Sequence, residues 1–442
     1  MDHEYFEALY PESTREDEIA KLVSYLKEGS SCQVIGIPGG GRSTLLALLA
    51  HNRKIRMKYF GKEHKTTHFV LINFVEIRKR PLFDVMKFLF LNLTESLRER
   101  KMFVENKTVG DIFREHLKFN DELVLFQGFK EAVDYLALER HITIVFLFDR
   151  FEEYVPTVTE DFFANLRTLR NRAKYHFSVV FSVNRPLEML LEPSQLSDYY
   201  EFVAGHLIYL HLFDKQTTDF RVSYIEKITG KKVPVALLSE IITATGGVGR
   251  LVKLGVEAAL SYGKKIEDVE SFLFSQHSIL VAMREIWFSL TPAEQAVLKN
   301  GKAADEIVAD YLQHVGLLKD NHVQIPLFAQ FIAKEFSKPV VKQGGIVYDE
   351  NTNEIRRGED LLSDQLTASE FRLLRYLLQN ENHIVEREAL IDVVWQGMKS
   401  TVGITDQAVD QLIFRLRRKI EEDANNPQHL LTVKGRGFKF VG

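Results

Sequence analysis

The sequence predicts a multidomain chain: a covered parallel α/β sheet, a helical segment after it, and two small helical domains that each carry a β-hairpin. Three observations predict this. Two runs, Ile142–Phe148 and Phe177–Val183, are almost continuously apolar, β-branched or aromatic, as strands buried on both faces must be. A glycine-rich turn, Gly36–Gly41, joins a short apolar run to a Leu/Ala-rich helical stretch. The chain has 442 residues, which at about 150 per domain is roughly three domains.

Composition narrows the function. The apolar fraction of 45% supports real cores, and the charged fraction of 27% is ordinary for a globular protein. A formal net charge of -4 means that any nucleic-acid surface must be built from local charge. Cys32 is the only cysteine, so no intrachain disulfide can form, which fits a reducing cytoplasm. Met1-Asp2-His3-Glu4 lacks a basic-then-apolar leader pattern, and Ile142–Phe148 is far too short to span a bilayer. The expectation is a cytoplasmic protein that does not engage a membrane.

Taken in order, residues 1–30 are charged and helical in pattern, ending at Gly29-Ser30. Cys32–Ile35 and His68–Phe74 read as strands, Phe83–Arg100 and Phe126–Leu138 as helices. Strands alternating with helices imply right-handed βαβ units. From about 215 to 275 the pattern is helical, with glycines at Gly246, Gly247 and Gly249. Leu290-Thr291-Pro292-Ala293-Glu294 is a helix start: a Thr cap, Pro in the first turn, then an acid. It opens a compact segment to Phe336, with a strand pair around Gly316–Leu318 and His322–Ile325, read as a first small winged helix. Its helix Ala303–His314 carries three acids, so the expected role is a structural adaptor. Ser337–Gly345, with Pro339 and Gly344-Gly345, reads as a linker. The expected domains are 1–205, 206–280, 281–336, the linker 337–345, and 346–442.

The first chemical motif is Gly36-Ile37-Pro38-Gly39-Gly40-Gly41-Arg42-Ser43-Thr44, which has the spacing of a phosphate-binding loop with arginine in place of lysine. Glycines let backbone N–H groups curl around phosphate oxygens, and the helix N-terminus adds positive potential. Asp149, ending a buried strand, suits the orientation of a metal-bound water. Asn184 ends the next strand, and Arg250 follows Gly246-Gly247-Val248-Gly249. The order of these parts over residues 10–275 resembles the AAA+/STAND signalling ATPases, as does Arg15-Glu16 ahead of the loop. The resemblance implies an ATP/ADP and Mg2+ site at Gly36, Gly39, Gly40, Gly41, Arg42, Ser43, Thr44, Asp149, Asn184 and Arg250. Ser43 and Asp149 would hold the metal, Asn184 would be the sensor 1 residue, and Arg250 the sensor 2 arginine of a helical lid. Two departures stand out. Arginine is a wide planar fork rather than a point charge, and Arg150 follows Asp149 where the family places a catalytic glutamate. Glu152 and Glu153 come later. Slow hydrolysis is therefore expected.

In the C-terminal hundred residues, Ile346–Arg356 reads as two short strands around the Asp349–Asn353 turn. Thr367 and Glu370 form a capping box at the start of a helix. Val385–Trp395 reads as a second helix, a loop with Gly397 and Gly403 follows, and Thr405–Glu421 reads as a third. Leu431–Phe440 is an alternating hairpin. Over nearly all of 344–442 this resembles the OmpR/PhoB-type winged-helix effector domain, carried by Leu366-Thr-Ala-Ser-Glu-Phe371, Val394-Trp395, Val409-Asp410, Arg415-Leu-Arg-Arg-Lys-Ile420 and Val433-Lys-Gly-Arg-Gly-Phe438. Val409, Leu412, Ile413, Leu416 and Ile420 recur at helical spacing and should face the core. That leaves Gln407, Gln411, Arg415 and Arg418 toward the opposite face, where Gln can read adenine and Arg guanine or phosphate. Phe414 stands where the family has a basic residue, with Lys434 and Arg436 on the wing and Arg436 directed by the resemblance into the minor groove. No receiver domain with its phosphorylatable aspartate is read upstream.

The fold class expected overall is an AAA+-like α/β P-loop sheet with a helical lid, then two winged helices, the last of OmpR/PhoB type. The leading reading is a nucleotide-regulated, DNA-binding transcriptional regulator. Its expected partners are double-stranded DNA, RNA polymerase and a nucleotide-dependent homo-oligomer. Two other readings stay open: an origin-recognition-type replication initiator or loader, and an ATPase scaffold in defence signalling whose winged helices bind protein.

Overall fold

The computed structural model describes residues 5–300, 306–336, 346–349, 352–357, 360–394, 406–421, 423–424, 426–433 and 435–441. The linker 337–345, Trp395, Gly397, Gly403 and Lys434 lie outside the described residues. The chain divides into two compact units, Met1–Phe336 and Ser337–Gly442.

The first unit is built on a five-stranded sheet: β1 (Cys32–Ile35), β2 (Thr67–Asn73), β3 (Thr143–Asp149), β4 (Phe177–Val183) and β5 (Leu207–Tyr209), in the order β2-β3-β4-β1-β5. Every pairing is parallel. β5 was not anticipated: three residues, only the middle one buried, give almost no periodic signal. Alternate residues of the central strands feed two cores on opposite faces. Ile35, Val70, Phe146, Phe148 and Phe181 join one, while Val34, Phe69, Val145, Leu147 and Val180 join the other. That two-sided burial is why these strands read as unbroken apolar runs.

Helices cover both faces. Leu82–Glu99, Phe103–Leu117 and Glu122–Asp134 stack on the side that buries Phe90, Phe113 and Phe129. Beyond the sheet, Lys215–Thr229, Val235–Ala244, Gly249–Tyr262 and His277–Phe288 form an all-helical layer. The segment from Pro292 has helices Pro292–Asn300 and Glu306–His314, a hairpin of β6 (Leu318–Lys319) and β7 (His322–Val323), and the helix Pro326–Phe336. Its core residues Leu312, Leu317, Ile325 and Phe331 belong to the same cluster as Ile241, Leu273 and Ile286 of the preceding helices. It is therefore packed into the first unit.

Burial leaves a pH signature near the end of the loop helix. His68 is pulled down to about 3 and His51 to about 4, in both cases by burial first and then by repulsion from Arg100 and Arg56. Both must be neutral in the fold, and both protonate near 6.5 when unfolded. Their contribution is fully present above pH 6.5 and is lost as pH falls toward those folded values. The thermal midpoint is expected to drop on acidification from pH 7 to 5. His68→Gln should flatten that drop in calorimetry, and an unchanged slope would refute the assignment.

The second unit contains a sheet of β8 (Ile346–Asp349), β9 (Glu354–Arg357) and β10 (Asp360–Leu361), then the helix Ala368–Gln379. The Thr367/Glu370 capping box is present at its start. β11 (Ile384–Val385), the helices Arg387–Val394 and Asp406–Ile420, and the hairpin of β12 (Leu430–Val433) and β13 (Gly437–Phe440) complete it. The helix expected from Val385 instead begins at Arg387, because Ile384 and Val385 pair with Lys439 and Phe438 of the hairpin. Tertiary pairing overrides a helical pattern there. Gly437 is required at that junction: with φ at 133°, a Cβ would stand 2.0 Å from the Val385 carbonyl oxygen.

Candidate functional site

The loop Gly36–Gly41 leaves the carboxyl end of β1, the strand with β4 on one side and β5 on the other. Connections diverge from that point of a parallel sheet, and the crevice outside the strand ends is where such sheets take ligands. Gly39 and Gly41 have φ of 81° and 107°, which L side chains rarely adopt. A Cβ on Gly39 would meet the Arg250 Cβ at 2.9 Å. Arg15, also left-handed at φ 52°, is buried under the loop. Its guanidinium donates to the carbonyls of Gly40 (2.9 Å) and His211 (2.6 Å) and pairs with Glu18 at 3.0 Å.

The cavity over this loop holds about 710 Å³, within the usual range for small-ligand sites. Of the residues expected to bind nucleotide, Gly39, Gly41, Arg42, Ser43, Thr44, Asn184 and Arg250 line it. Gly36 and Gly40 belong to the same loop without facing the cavity. Asp149 is buried behind the cavity wall at the end of β3, where Ser182 donates to it at 3.1 Å. Arg150, Glu152 and Glu153, which follow it in the chain, line the cavity. The Asn184 side-chain oxygen is buried without a hydrogen-bond partner, while its backbone carbonyl accepts from the Tyr311 hydroxyl at 2.7 Å.

Arg42 does not reach into open space. Its guanidinium forms a two-point pair with Glu152, at 2.6 and 3.1 Å. Arg250 is likewise engaged by Glu285, and its backbone N–H donates to the Gly39 carbonyl at 3.3 Å. Arg150 is left-handed and pairs with Glu153 at 2.7 Å. Sequence reasoning missed Arg221, on the helix Lys215–Thr229, which lines the same cavity. It donates to Tyr10 (2.6 Å) and to Thr44 (3.1 Å). No motif marks a residue 177 positions from its partner.

Asn184 is followed by Arg185, whose buried guanidinium pairs with Glu294 at 3.1 Å, donates to the Ser289 carbonyl at 2.8 Å and lies over the Tyr311 ring. Glu294 also accepts from the Thr291 N–H at 2.7 Å, as the acid of that helix start. The strand end beside the cavity is thus pinned to the segment that begins at Pro292.

Of the two hard oxygen donors expected to hold a metal, Ser43 offers an exposed hydroxyl to the cavity, whereas the Asp149 carboxylate is buried at the end of β3 and does not line it. Among the described residues no cluster of three acids, histidines or cysteines could hold a metal unaided. Magnesium bound mainly through phosphates needs only one or two protein ligands.

In the second unit, Val409, Leu412, Ile413, Leu416 and Ile420 are all buried, which turns the other face of the helix Asp406–Ile420 outward. Gln411, Phe414, Arg415 and Arg418 are exposed on it. The Gln407 side chain lies outside the described residues. The basic run divides in two. Arg417 donates to the Leu430 carbonyl at 2.6 and 2.9 Å and to the Thr432 hydroxyl at 2.8 Å. Lys419 pairs with Glu370 at 2.6 Å and reaches the Gln365 carbonyl at 2.7 Å. These two hold the fold together. Arg415 and Arg418 have no protein partner among the described residues. Arg436 is exposed on the turn between β12 and β13. Leu412 is core, as its helical spacing predicts, and cannot touch a base. Phe414, 46% exposed, can.

Residues 363–440 match the family described as "Transcriptional regulatory protein, C terminal". Sensory transduction protein RegX3 of Mycobacterium tuberculosis is 38% identical over 108 residues, which is 24% of this chain and 45% of that protein. The chain thus spans less than half the length of the curated relatives it matches first. Among solved structures, the RstA DNA-binding domain of Klebsiella pneumoniae in complex with the RstA box is 26% identical, with a TM-score of 0.20, covering 23% of this chain and 94% of that one. A Walker-type ATPase of Pyrococcus abyssi is 16% identical, with a TM-score of 0.44, covering 74% of this chain and 99% of that one. The C-terminal unit is an OmpR/PhoB-type winged helix, attached to a parallel α/β unit with a glycine-rich turn after β1. Among the described residues no helix is long and apolar enough to cross a membrane.

Proposed function

We propose that this chain, which carries the C-terminal domain of transcriptional regulatory proteins at residues 363–440, is a nucleotide-regulated DNA-binding transcriptional regulator. The observation that carries the reading is the free outward face of the helix Asp406–Ile420. Arg415 and Arg418 stand exposed beside Gln411 and Phe414 with no partner among the described residues, while their neighbours Arg417 and Lys419 are used up in the fold. A helix so divided suits the major groove of double-stranded DNA. Gln407, Gln411 and Arg415 would meet bases, Phe414 a thymine methyl, Arg418 and Lys434 phosphates, and Arg436 the minor groove.

The input would be ATP or ADP with Mg2+. Gly36, Gly39, Gly40 and Gly41 would cradle phosphates at the start of the helix that carries Arg42, Ser43 and Thr44, the hydroxyls of Ser43 and Thr44 facing the ligand and Arg42 tied to Glu152. Ser43 and Asp149 would hold the metal, and Asn184 and Arg250 would close on the distal phosphates. Bound magnesium would neutralise phosphate charge and fix the triphosphate. The carboxylates that line the cavity, Glu152, Glu153 and Glu285, are paired with Arg42, Arg150 and Arg250, so none is a free base for water. Turnover should be slow, as in a switch that holds its ligand. The pinning of Asn184 and Arg185 to the Pro292 segment supports a route by which occupancy biases the rest of the chain. RNA polymerase and further copies of this chain are the expected partners, in the cytoplasm.

The deciding experiment is selection of genomic DNA by the full chain with and without ATP, alongside a phosphate-release assay. A discrete motif whose recovery changes with ATP, with turnover well below one per second, is expected. No sequence preference even at low salt would reject the DNA reading. A motif indifferent to ATP, ADP and Asp149→Asn would reject the coupling. Robust phosphate release abolished by Asp149→Asn would reject the slow switch.

A further inference from the structure

The side chains that line the loop cavity include five cations: Arg42, Arg150, Arg221, Arg250 and Lys253. Four of them already face a carboxylate. Arg42 is held by Glu152 at two points, Arg150 by Glu153 and Arg250 by Glu285, and Lys253 lies 3.7 Å from Glu257. Arg221 differs. Among the described residues its hydrogen bonds go to the neutral hydroxyls of Tyr10 and Thr44. A hydroxyl accepts a hydrogen bond but cancels no charge, so the guanidinium keeps its full attraction for an anion in a half-enclosed site.

Its position agrees. Thr44 is in the first turn of the loop helix, where the backbone N–H groups and the helix dipole already favour phosphate. Arg221 and Lys253 also border a second, largely apolar cavity lined by Phe6, Tyr224, Ile225 and Ile228, and by Glu257, which faces Lys253. Arg221 thus stands at the junction between a polar hollow and an apolar one. That is the place for the first anionic group of a ligand with a flat apolar head and a phosphate tail.

We infer that Arg221 is the phosphate-contacting cation of this site, and that Glu152 is the counter-ion that keeps Arg42 from that role. The inference rests on the nucleotide reading above. The loop arginine then serves mainly to tie the loop to the turn after β3, and the working charge comes from the helix Lys215–Thr229. Arg42 contributes only when Glu152 is neutralised.

The test is titration of the full chain with ADP, with adenosine as the phosphate-free control. Arg221→Gln keeps a donor for Tyr10 and Thr44, so the free protein should melt where the unsubstituted chain does. Its ADP affinity should fall at least about tenfold, an effect of the size expected for one charge-assisted contact. Adenosine binding should not move, and Arg221→Lys should recover part of the loss. Arg42→Gln should cost less than about threefold, and Glu152→Gln should tighten ADP binding. Retention of ADP affinity in Arg221→Gln with its loss in Arg42→Gln would overturn the inference while leaving the nucleotide reading intact. Equal loss of ADP and adenosine would also overturn it, by making Arg221 a packing residue. Failure of the unsubstituted chain to bind ADP would overturn both readings together.

Discussion

Arg415→Ala is expected to weaken binding to the selected DNA motif by about 1–3 kcal/mol, roughly five- to 150-fold, and to relax preference at one base position. The argument is one of availability. Arg415 is exposed on the face opposite Leu412, Ile413 and Leu416, and none of the described residues occupies its guanidinium. Adding Arg418→Ala should weaken binding further and evenly across sequences, and should lower the salt slope by about one ion. Arg417→Ala should behave differently. It removes the donor to Leu430 and Thr432, so it should lower the melting temperature of the domain before it alters sequence choice. Competition assays across a salt series, paired with thermal melts, separate these effects. An unchanged motif and affinity in Arg415→Ala/Arg418→Ala would remove this helix from the interface.

The largest stability effect is expected at Arg185. Arg185→Met should cost about 3–5 kcal/mol, because it leaves the Glu294 carboxylate buried without its counter-charge. The same change removes the donor to the Ser289 carbonyl and the cation over Tyr311. Adding Glu294→Gln removes the stranded charge yet keeps an acceptor for the Thr291 N–H, so the double variant should recover most of the loss. Denaturant unfolding of the four proteins in the cycle measures this coupling. Strictly additive losses would mean that the pair holds nothing together. If the reading of Asn184 is right, the double variant should also respond less to ADP, since the strand end beside the cavity would be anchored only through Tyr311.

Legibility followed physical range. Strands buried on both faces announce themselves as apolar runs, so β1, β2, β3 and β4 could be read almost residue by residue. The glycine spacing of the loop reflects backbone conformations that few other residues adopt, and Gly39 and Gly41 have them. The Thr367/Glu370 box is a four-residue signal and was plain. What could not be read was set by distant partners. β5 is defined by pairing with β1, the Ile384–Val385 strand by the hairpin, and the helix Phe103–Leu117 by packing on its neighbours rather than by a strong apolar stripe. The sequence could place Arg42 in the loop but not show that Glu152, 110 positions away, would take up its guanidinium. It could count the basic residues of the last helix, but not sort Arg415 and Arg418 from Arg417 and Lys419.

The strand order has a consequence for how the protein is made. β1 ends at Ile35, but its partners are β4, at Phe177–Val183, and β5, at Leu207–Tyr209. On the ribosome, at about 5–20 residues per second, the first strand waits on the order of ten seconds or more before either neighbour exists. Throughout that interval Cys32, Val34 and Ile35 are bare apolar surface, and the glycine loop has nothing to curl against. Long-range parallel pairing is slow to form and exposed to aggregation while it waits. Synthesis of this chain should therefore lean on chaperones that shield nascent apolar segments, and slowing translation should lower the soluble yield before it changes the folded product.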